Sequence, residues 1–519
     1  MRDFLIALSL ANLLFLRDWE KARSNNYLDD FKPDLIATTL LVLATCAVLL
    51  IGWRLIRTST RLAFAGKILF LLLMVLPLNA LRLYYQQDIM ALYGHRYDPV
   101  AWIVLALLAG PVVFALATRR LRLPFLVRYG IFLTLALSPF TLFTFGGVIR
   151  DSYRWTTSAA KPLAARDSGS TNSSRTMDEV QSETKRQRVV WIIFDELEER
   201  TAFTNRPDSV SMPELDRFRT ESFVARAAYP PANQTIQSVP ALLNGKGVSS
   251  TAARGDALAI RQEGETAPIL WNPQMTVFAE AADAGKKTGL VGIFLPYCAT
   301  HGRVITECHD FRTAQTNEGL LKKIRRALMI ALDAVPFAFR LFLHKSVFEN
   351  EIERYQFTIH HASVLAADPK LDLVYLHFPL PHPPGIYDRA AGRLAVSPQH
   401  SYLDNLELTD ASFGIVRRAM EQAGVWQSST VIVTADHWWR TDEVWKAAAG
   451  WTAEEQRIIA GRAPDHRIPF MVKLAGKEPS MVFEHPFNTL VTRRIVMALL
   501  DGRLSTTRDL VQLLDSSTE

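Results

Sequence analysis

Two short groups of metal-binding side chains stand directly where apolar runs of the sequence end. The run RVVWIIF is followed by Asp195 and Glu196, and the run STVIVTA is followed by Asp436 and His437. In an open α/β sheet the carboxyl ends of the strands form one edge, and functional sites lie there. Carboxylates and a histidine that share this edge need a cation to balance their charge. The four residues together therefore predict a metal site.

Histidines accompany two further apolar runs. His377 ends LDLVYLH, His382 follows it in HFPLPHPP, and His466 precedes the run RIPF in APDHRIPF. A single histidine is more often structural, so none of the three indicates a site by itself. Because they accompany the same set of strands, we expect them at the edge that carries the metal site, where a histidine can bind the metal or the substrate.

A hydroxyl residue precedes a predicted helix in the segment YPPANQTIQSVPALLNGK. Thr235 lies between an extended, proline-rich approach and this helix, whose first turn tolerates Pro240. One interpretation of Thr235 is an ordinary helix cap. The other is a nucleophile, because this position directs a hydroxyl and several backbone N–H groups at an anion.

The elements that must position these residues are short apolar runs alternating with helical stretches. After residue 188, strands are predicted for RVVWIIFDE, TGLVGIFLP, LDLVYLHFP, STVIVTADH and RIPFMVKLA. Their few polar interruptions are typical of a parallel sheet that is covered on both faces. PELDRFRTES and YLDNLELTDASFGIVRRAMEQAG predict helices. The alternation indicates an α/β sandwich with a mostly parallel central sheet.

The first 150 residues hold most of the apolar excess of a chain that is 49% hydrophobic and only 21% charged. Four runs are long enough to cross a bilayer as helices: 34–53, 67–84, 100–118 and 130–149. The shorter segment 4–15 is a spanning helix, an interfacial helix or an uncleaved signal anchor. We therefore expect a membrane domain in 1–150 with four to five transmembrane helices, a flexible linker in 151–187 and a catalytic domain in 188–519.

Basic residues set the expected topology. The loops 54–67 and 119–128 carry arginine and lysine but no acidic residue, so the positive-inside rule places both in the cytoplasm. We expect a multi-pass protein of the inner or plasma membrane, with its catalytic domain on the extracytoplasmic side. The net charge of +6 is attributed to these loops and the linker, since the sequence has no nucleic-acid motif.

Two other features depend on this topology. The segment 320–345 is apolar enough for another span, but a crossing there would separate Asp195 and Thr235 from Asp436; we expect an amphipathic helix, packed on the domain or lying on the membrane surface. Cys298 and Cys308 lie close together in a polar stretch, and in an oxidising compartment they form a disulfide; the alternative is two unpaired thiols. Cys46, inside an apolar run, is expected to be inert.

The order and spacing of several motifs add a family resemblance to these observations. Residues 188–519 resemble the alkaline phosphatase–sulfatase superfamily, in particular its sulfatase-like hydrolase/transferase branch. The motifs that carry the resemblance are FDEL, T-x-x-S-x-P-A-L-L-N-G, HFPLPHPP, TADHWW, DHRIP and FNTLVTRRIVMALLDG. The resemblance implies an alkaline phosphatase-like fold and a metal-dependent enzyme.

The resemblance also implies roles for single residues. Asp195 matches the first metal carboxylate, and Glu196 adds a second one. Thr235 matches the nucleophile, which is also a metal ligand, and Asp436 with His437 matches the Asp-His or Asp-Asn metal pair. The positions of His382 and His466 match those that hold the substrate anion, a leaving group or a second metal.

Departures from the sulfatase pattern decide the expected chemistry. Sulfatases carry Cys or Ser in C/S-x-P/A-x-R, which matures to formylglycine, whereas this chain has Thr235 followed by Ile-Gln-Ser-Val. Threonine cannot become formylglycine. His437 stands where sulfatases tend to have Asn, and its nitrogen favours zinc or manganese over calcium. Both departures indicate phosphoryl chemistry.

The expected activity is that of a metal-dependent sulfatase-like hydrolase/phosphotransferase. Membrane-anchored relatives with a Thr nucleophile include phosphoethanolamine and glycerophosphate transferases, and their layout is similar. The resemblance thus implies a lipid bilayer as partner, with a lipid donor and an envelope glycan or lipid acceptor. Two alternatives stay open: a hydrolase of sulfuric or phosphoric esters without a lipid donor, and a non-catalytic membrane sensor with the same fold.

Overall fold

The computed structural model describes two compact units of the chain. The described residues are 2–16, 18–19, 35–58, positions between 125 and 146, and 187–516 except 255–256, 312–318, 333–343, 398–399, 443, 448–450, 464 and 477. The first unit takes Met1–Ser24, Phe31–Asp178 and Glu318–His344. The second takes Asn25–Asp30, Glu179–Asn317 and Lys345–Glu519.

The second unit is built on one large mixed sheet. Its strands are β1 (Arg188–Asp195), β2 (Phe223–Tyr229), β6 (Thr288–Gly292), β7 (Glu307–Asp310), β8 (Leu373–Pro381), β11 (Ser429–Ala435), β12 (Ile468–Lys473), β13 (Met481–Phe483) and β14 (Phe487–Asn488). The strand order is β13-β2-β12-β11-β1-β8-β6-β7, and β14 also pairs with β2. Two small sheets hold β3 (Val248–Arg254), β4 (Ala257–Gln262) and β5 (Ile269–Leu270), and β9 (Tyr387–Asp388) with β10 (Arg393–Leu394).

Most strand pairs of the large sheet are parallel, which confirms the predicted sheet. All five predicted strands are present, as β1, β6, β8, β11 and β12. The central pairs β11–β1, β1–β8 and β8–β6 are parallel. β12 runs antiparallel to both of its neighbours, β11 and β2, so the sheet is mixed on that side.

Helices cover the sheet. They are α3 (Pro213–Thr220), α4 (Thr235–Asn244), α5 (Val277–Asp283), α6 (Tyr297–His301), α8 (His344–Ala367), α9 (Tyr402–Gln422), α10 (Ala453–Ile459), α11 (Thr492–Leu500) and α12 (Thr507–Asp515). Every residue of β1 is buried, and because successive strand residues point to opposite faces, both faces of the sheet are covered there. α9 packs against β8 and α11 against β1. Ser401 and Asp404 form a capping box that begins α9.

The first unit contains α1 (Arg2–Leu14), α2 (Leu35–Thr58) and α7 (Leu320–Leu332). Among the described residues one helix is long and apolar enough to span a membrane, Ile36–Leu55, with a mean hydropathy of 2.3; Val127–Ala136 is a shorter apolar helix. α7 packs against α2. The predicted spans 67–84 and 100–118 lie outside the described residues, as do half of the positions in 130–149, residues 151–186 of the linker and residues 333–343 of segment 320–345.

Candidate active site and metal centre

Asp195 and Asp436 meet at the carboxyl edge of the large sheet. β1 and β11 are parallel neighbours whose last paired residues are Phe194 and Ala435, so the two aspartates follow equivalent positions. Both side chains are fully buried. Asp436 Oδ1 accepts hydrogen bonds from the backbone N–H groups of Glu196, at 3.2 Å, and His437, at 2.8 Å. The Oδ2 atom of Asp436 is buried and has no hydrogen-bond partner among the described residues.

Thr235 is the first residue of α4 and lies beside both strand ends. Its Oγ1 atom is 3.2 Å from Nε2 of His437 and 3.5 Å from Oδ1 of Asp195. Ser238, one turn further along the helix, donates a hydrogen bond from Oγ to the backbone carbonyl of Asp436. This bond joins the first turn of α4 to the end of β11, so the threonine hydroxyl is held against the carboxylates.

The distances among these atoms fit one shared metal ion. His437 Nε2 lies 3.6 Å from Asp195 Oδ1 and 3.4 Å from Asp436 Oδ2, in addition to its 3.2 Å separation from Thr235 Oγ1. Donor atoms about 2.0–2.2 Å from a tetrahedral zinc stand roughly 3.3–3.6 Å apart. The ring tautomer also fits, because Nδ1 of His437 is 3.0 Å from the carbonyl oxygen of Trp438 and donates to it, which leaves the Nε2 lone pair free.

The buried carboxylates of the site lack enough positive charge from the protein to balance them. Burial first, and then the neighbouring carboxylates, raise the pKa of Asp195 well above its ordinary value, and burial raises the pKa of Asp436. Burial lowers the pKa of His437 to about 3, so the ring is neutral and able to bind a metal. A second oxygen of Asp195 and one of Asp436 have no hydrogen-bond partner among the described residues. The donor set therefore fits a divalent metal.

Glu196 is placed differently from the other predicted metal ligands. Its backbone adopts the left-handed region, with φ of 64°, which is uncommon for a residue other than glycine. Its carboxylate accepts hydrogen bonds from Nε of Arg440 and Nε1 of Trp445, both at 2.6 Å. Burial raises the pKa of Glu196 to about 7, while Arg440 opposes the shift. The carboxylate therefore already has cationic and indole partners.

The three predicted substrate-binding histidines occupy different surroundings. His377 is fully buried within β8, and one of its ring nitrogens lies within 4.8 Å of a carboxylate oxygen of Asp195 and of one of Asp436. The backbone N–H of His382 donates to the Asp195 carbonyl at 3.2 Å, and its ring meets that of Trp445 edge-on with centroids 5.0 Å apart. His466 is exposed and stacks on Trp438, with ring centroids 4.1 Å apart.

Four residues of the site and its surroundings were not found by sequence analysis: Tyr297, Ser238, Arg440 and Trp445. Ser238 lies inside the motif T-x-x-S that marked Thr235, and Arg440 lies three positions after His437, so proximity along the chain offered a weak signal for both. Tyr297 contacts His377 from 80 positions away.

Cys298, next to Tyr297, is joined to Cys308 by a disulfide, and Cys46 is a buried free cysteine.

The fold and the site together define a member of the alkaline phosphatase superfamily, with a metal-compatible cluster at the carboxyl edge of a mostly parallel sheet. The chain belongs to the sulfatase family, whose sequence profile matches residues 187–492. The family and the buried cluster of Asp195, His377 and Asp436 indicate a hydrolase that uses a divalent metal.

Solved structures similar to this chain include two phosphonate monoester hydrolases. The one from Silicibacter pomeroyi is 15% identical, with 62% of this chain and 76% of that chain covered and a TM-score of 0.41. The one from Agrobacterium radiobacter is 11% identical, with 64% and 78% covered and a TM-score of 0.38. A protein in the alkaline phosphatase superfamily from Vibrio parahaemolyticus is 12% identical, with 61% and 66% covered and a TM-score of 0.38. No curated protein sequence matches the chain.

Proposed function

We propose that the chain is a metal-dependent hydrolase of phosphate-type esters with Thr235 as its nucleophile. The observation that carries the proposal is the position of the Thr235 hydroxyl, 3.2 Å from His437 Nε2 and 3.5 Å from Asp195 Oδ1. A threonine that served only as a helix cap would direct its oxygen at the backbone of its own helix. The residue that precedes α4 is Gln234, so Thr235 is the first helical residue and its hydroxyl is directed at the carboxylates.

The metal would be held by Asp195, Thr235, Asp436 and His437. When bound, it would lower the pKa of the Thr235 hydroxyl and place positive charge beside the ester oxygens. Oγ1 of Thr235 attacks phosphorus and releases its proton to solvent, while the bond from phosphorus to the leaving-group oxygen breaks. The backbone N–H groups of the first turn of α4 face the phosphoryl oxygens. His466 donates a proton to the leaving oxygen, because burial lowers the pKa of His382 well below its ordinary value and leaves that ring neutral. A water molecule then hydrolyses the phosphothreonine and restores the hydroxyl.

The preference for phosphate over sulfate follows from the nucleophile. Threonine cannot mature to the formylglycine that sulfatases use, and a threonine oxygen forms a stable ester with phosphorus. His437 supplies a nitrogen donor and the site has few neutral oxygen donors, which favours zinc or manganese over calcium. Glu196 takes part by holding Arg440 and Trp445 beside the site.

Transfer to an acceptor is the second candidate, in which an acceptor hydroxyl replaces water in the last step. The observation that favours it is the apolar helix Ile36–Leu55 together with α7, which packs against it and carries four basic and no acidic side chains. A multi-pass membrane anchor with the catalytic domain on the extracytoplasmic side would bring a lipid donor to the site. The acceptor would then be an envelope glycan or lipid.

The nucleophile is tested by trapping. The full-length protein is incubated with p-nitrophenyl phosphate, p-nitrophenyl sulfate and phenyl phosphonate esters, quenched in acid and digested, and the peptide containing Thr235 is analysed by mass spectrometry. We expect a phosphate adduct on Thr235 and no turnover by Thr235→Ala. Thr409→Ala, which removes another buried threonine hydroxyl in the middle of α9, is the matched control and keeps activity.

Three results would contradict the proposal or change its class. Turnover by Thr235→Ala would exclude the threonine as nucleophile. A purified protein without stoichiometric metal and without turnover of any ester would favour the non-catalytic sensor. Release of a labelled headgroup from a lipid donor to an acceptor, rather than to water, would identify a transferase instead of a hydrolase.

A further inference from the structure

His377 has an unexplained arrangement inside the site. The side chain lies on β8, a strand next to β1, and is fully buried. Its Nε2 atom has no hydrogen-bond partner among the described residues, although a buried ring nitrogen normally has one. One of the two ring nitrogens lies within 4.8 Å of a carboxylate oxygen of Asp195 and of one of Asp436, and because Nδ1 pairs with Tyr297, Nε2 is the nitrogen left to face them. Nε2 of His377 therefore directs either its lone pair or its N–H proton at the centre of the site.

The partner of the other ring nitrogen decides between these two possibilities. Nδ1 of His377 lies 2.8 Å from the hydroxyl oxygen of Tyr297, which is also fully buried. When Nδ1 carries the proton and donates it to the tyrosine oxygen, Nε2 presents a lone pair to the two carboxylates. A histidine that binds a metal commonly donates its second N–H in this way, which fixes both the tautomer and the ring orientation.

Tyr297 is itself held by several contacts. It is the first residue of α6, and a Cβ atom placed on Gly292 would come within 2.4 Å of its ring, so the glycine makes room for the tyrosine. Cys298, the next residue, is bonded to Cys308 of β7. The backbone N–H of Cys298 also donates to the Asp310 carboxylate at 2.8 Å. The disulfide therefore fixes the backbone that carries Tyr297 to a strand of the large sheet.

We propose that His377 is a further ligand of the metal, that Tyr297 is its positioning residue, and that the Cys298–Cys308 disulfide keeps Tyr297 in place. This proposal rests on the metal dependence of the proposed function, but not on the identity of the nucleophile. It gives His377 a role in binding the metal rather than the substrate. It also connects a covalent bond outside the site to the metal through a sequence of three adjacent contacts.

Metal binding is the measurement, with full-length protein purified in detergent, stripped with a chelator and titrated with Zn²⁺ against a chromogenic competitor. Tyr297→Phe removes only the hydroxyl, and we expect a Kd for Zn²⁺ about 10–100-fold higher, the range for loss of an outer hydrogen bond. His377→Ala should raise the Kd at least as much. Tyr355→Phe removes another buried tyrosine hydroxyl, which contacts Ser412, and should leave the Kd unchanged.

A spectroscopic readout separates ligation from general loss of packing. The Co²⁺-substituted protein has an absorption spectrum that depends on the number of nitrogen ligands. We expect His377→Ala to change this spectrum, and Tyr297→Phe to alter it to a smaller extent. A lower melting temperature with an unchanged Zn²⁺ Kd and an unchanged Co²⁺ spectrum in both variants would overturn the proposal.

The contribution of the disulfide is tested with a double-mutant cycle. Replacing both cysteines by serine should raise the Zn²⁺ Kd of the otherwise unmodified protein. If the disulfide acts through Tyr297, the same replacement in a Tyr297→Phe background has no further effect on the Kd. Fully additive effects would show that the disulfide does not act through the tyrosine.

The proposed function and the His377 proposal can be contradicted separately. If the unmodified protein forms no phosphate adduct on Thr235 but binds Zn²⁺ as expected, Thr235 is not the nucleophile, and the His377 proposal is unaffected. Unchanged metal affinity in His377→Ala, together with a normal adduct on Thr235, would leave the function standing and overturn the further inference.

Discussion

The carboxylate of Glu196 accepts a hydrogen bond at 2.6 Å from Nε of Arg440, so a predicted metal ligand is bound to a guanidinium. Trp445 donates to the second oxygen of the same carboxylate. The ring of Trp445 also contacts that of His382. Glu196 therefore links the segment after His437 to a histidine of the site, and its negative charge is balanced by protein.

Glu196→Gln is expected to keep the metal. The variant retains the side-chain volume but loses a buried ion pair with Arg440, so the free energy of unfolding should fall by about 3–5 kcal/mol. Metal content by elemental analysis and the unfolding midpoint are measured on the same sample. Asp195→Asn is the comparison and should lose the metal. A Glu196→Gln protein without metal would instead support the carboxylate as a ligand.

Removal of the metal should abolish turnover, and the identity of the ion that restores it should follow the donor set. After treatment with a chelator we expect zinc or manganese to restore activity better than calcium, because His437 Nε2 belongs to the donor set. The comparison uses equal free-ion concentrations, with initial rates and bound metal measured together. Full restoration by calcium alone would contradict this assignment.

Asp195 and Asp436 could be predicted from the sequence, because a carboxylate at the end of a strand can be recognised from a local sequence pattern. RVVWIIF and STVIVTA predicted β1 and β11, and parallel pairing of these strands brings Asp195 and Asp436 together. Their partners lacked such a signal. Arg440 reaches Glu196 across 244 positions, and Tyr297 reaches His377 across 80. Those contacts depend on how loops pack around the sheet edge, which no local periodicity records.

Sidedness of the membrane part stays a prediction, and reporter fusions test it. A fluorescent protein fused after residue 58, in the basic loop that follows α2, should fluoresce because this loop is expected in the cytoplasm. A β-lactamase fused after residue 187 should confer resistance because that position is expected outside. The exchanged fusions, with each reporter at the other position, serve as controls. The opposite pattern of signals would contradict the predicted topology.

Lys473 should make the free energy of unfolding depend on pH above neutrality. Its ammonium is buried at the end of β12 and donates to the carbonyl oxygens of Trp426, Ser429 and Leu474. Burial lowers the pKa of Lys473 to about 8, from an ordinary value of 10.5. Between these two values the unfolded chain binds more protons than the folded chain at this residue, so stability should rise with pH.

The size of this rise is bounded by the pKa shift, at up to about 3 kcal/mol between pH 8 and pH 10.5. Denaturant unfolding followed by tryptophan fluorescence across this range measures it. Because other groups also titrate there, the informative quantity is the difference between the parent protein and Lys473→Met, which should lack this component of the rise. Lys246→Met, at an exposed lysine, is the matched control and should keep it. Parallel curves for the parent and Lys473→Met would show that Lys473 stays charged over the whole range when folded.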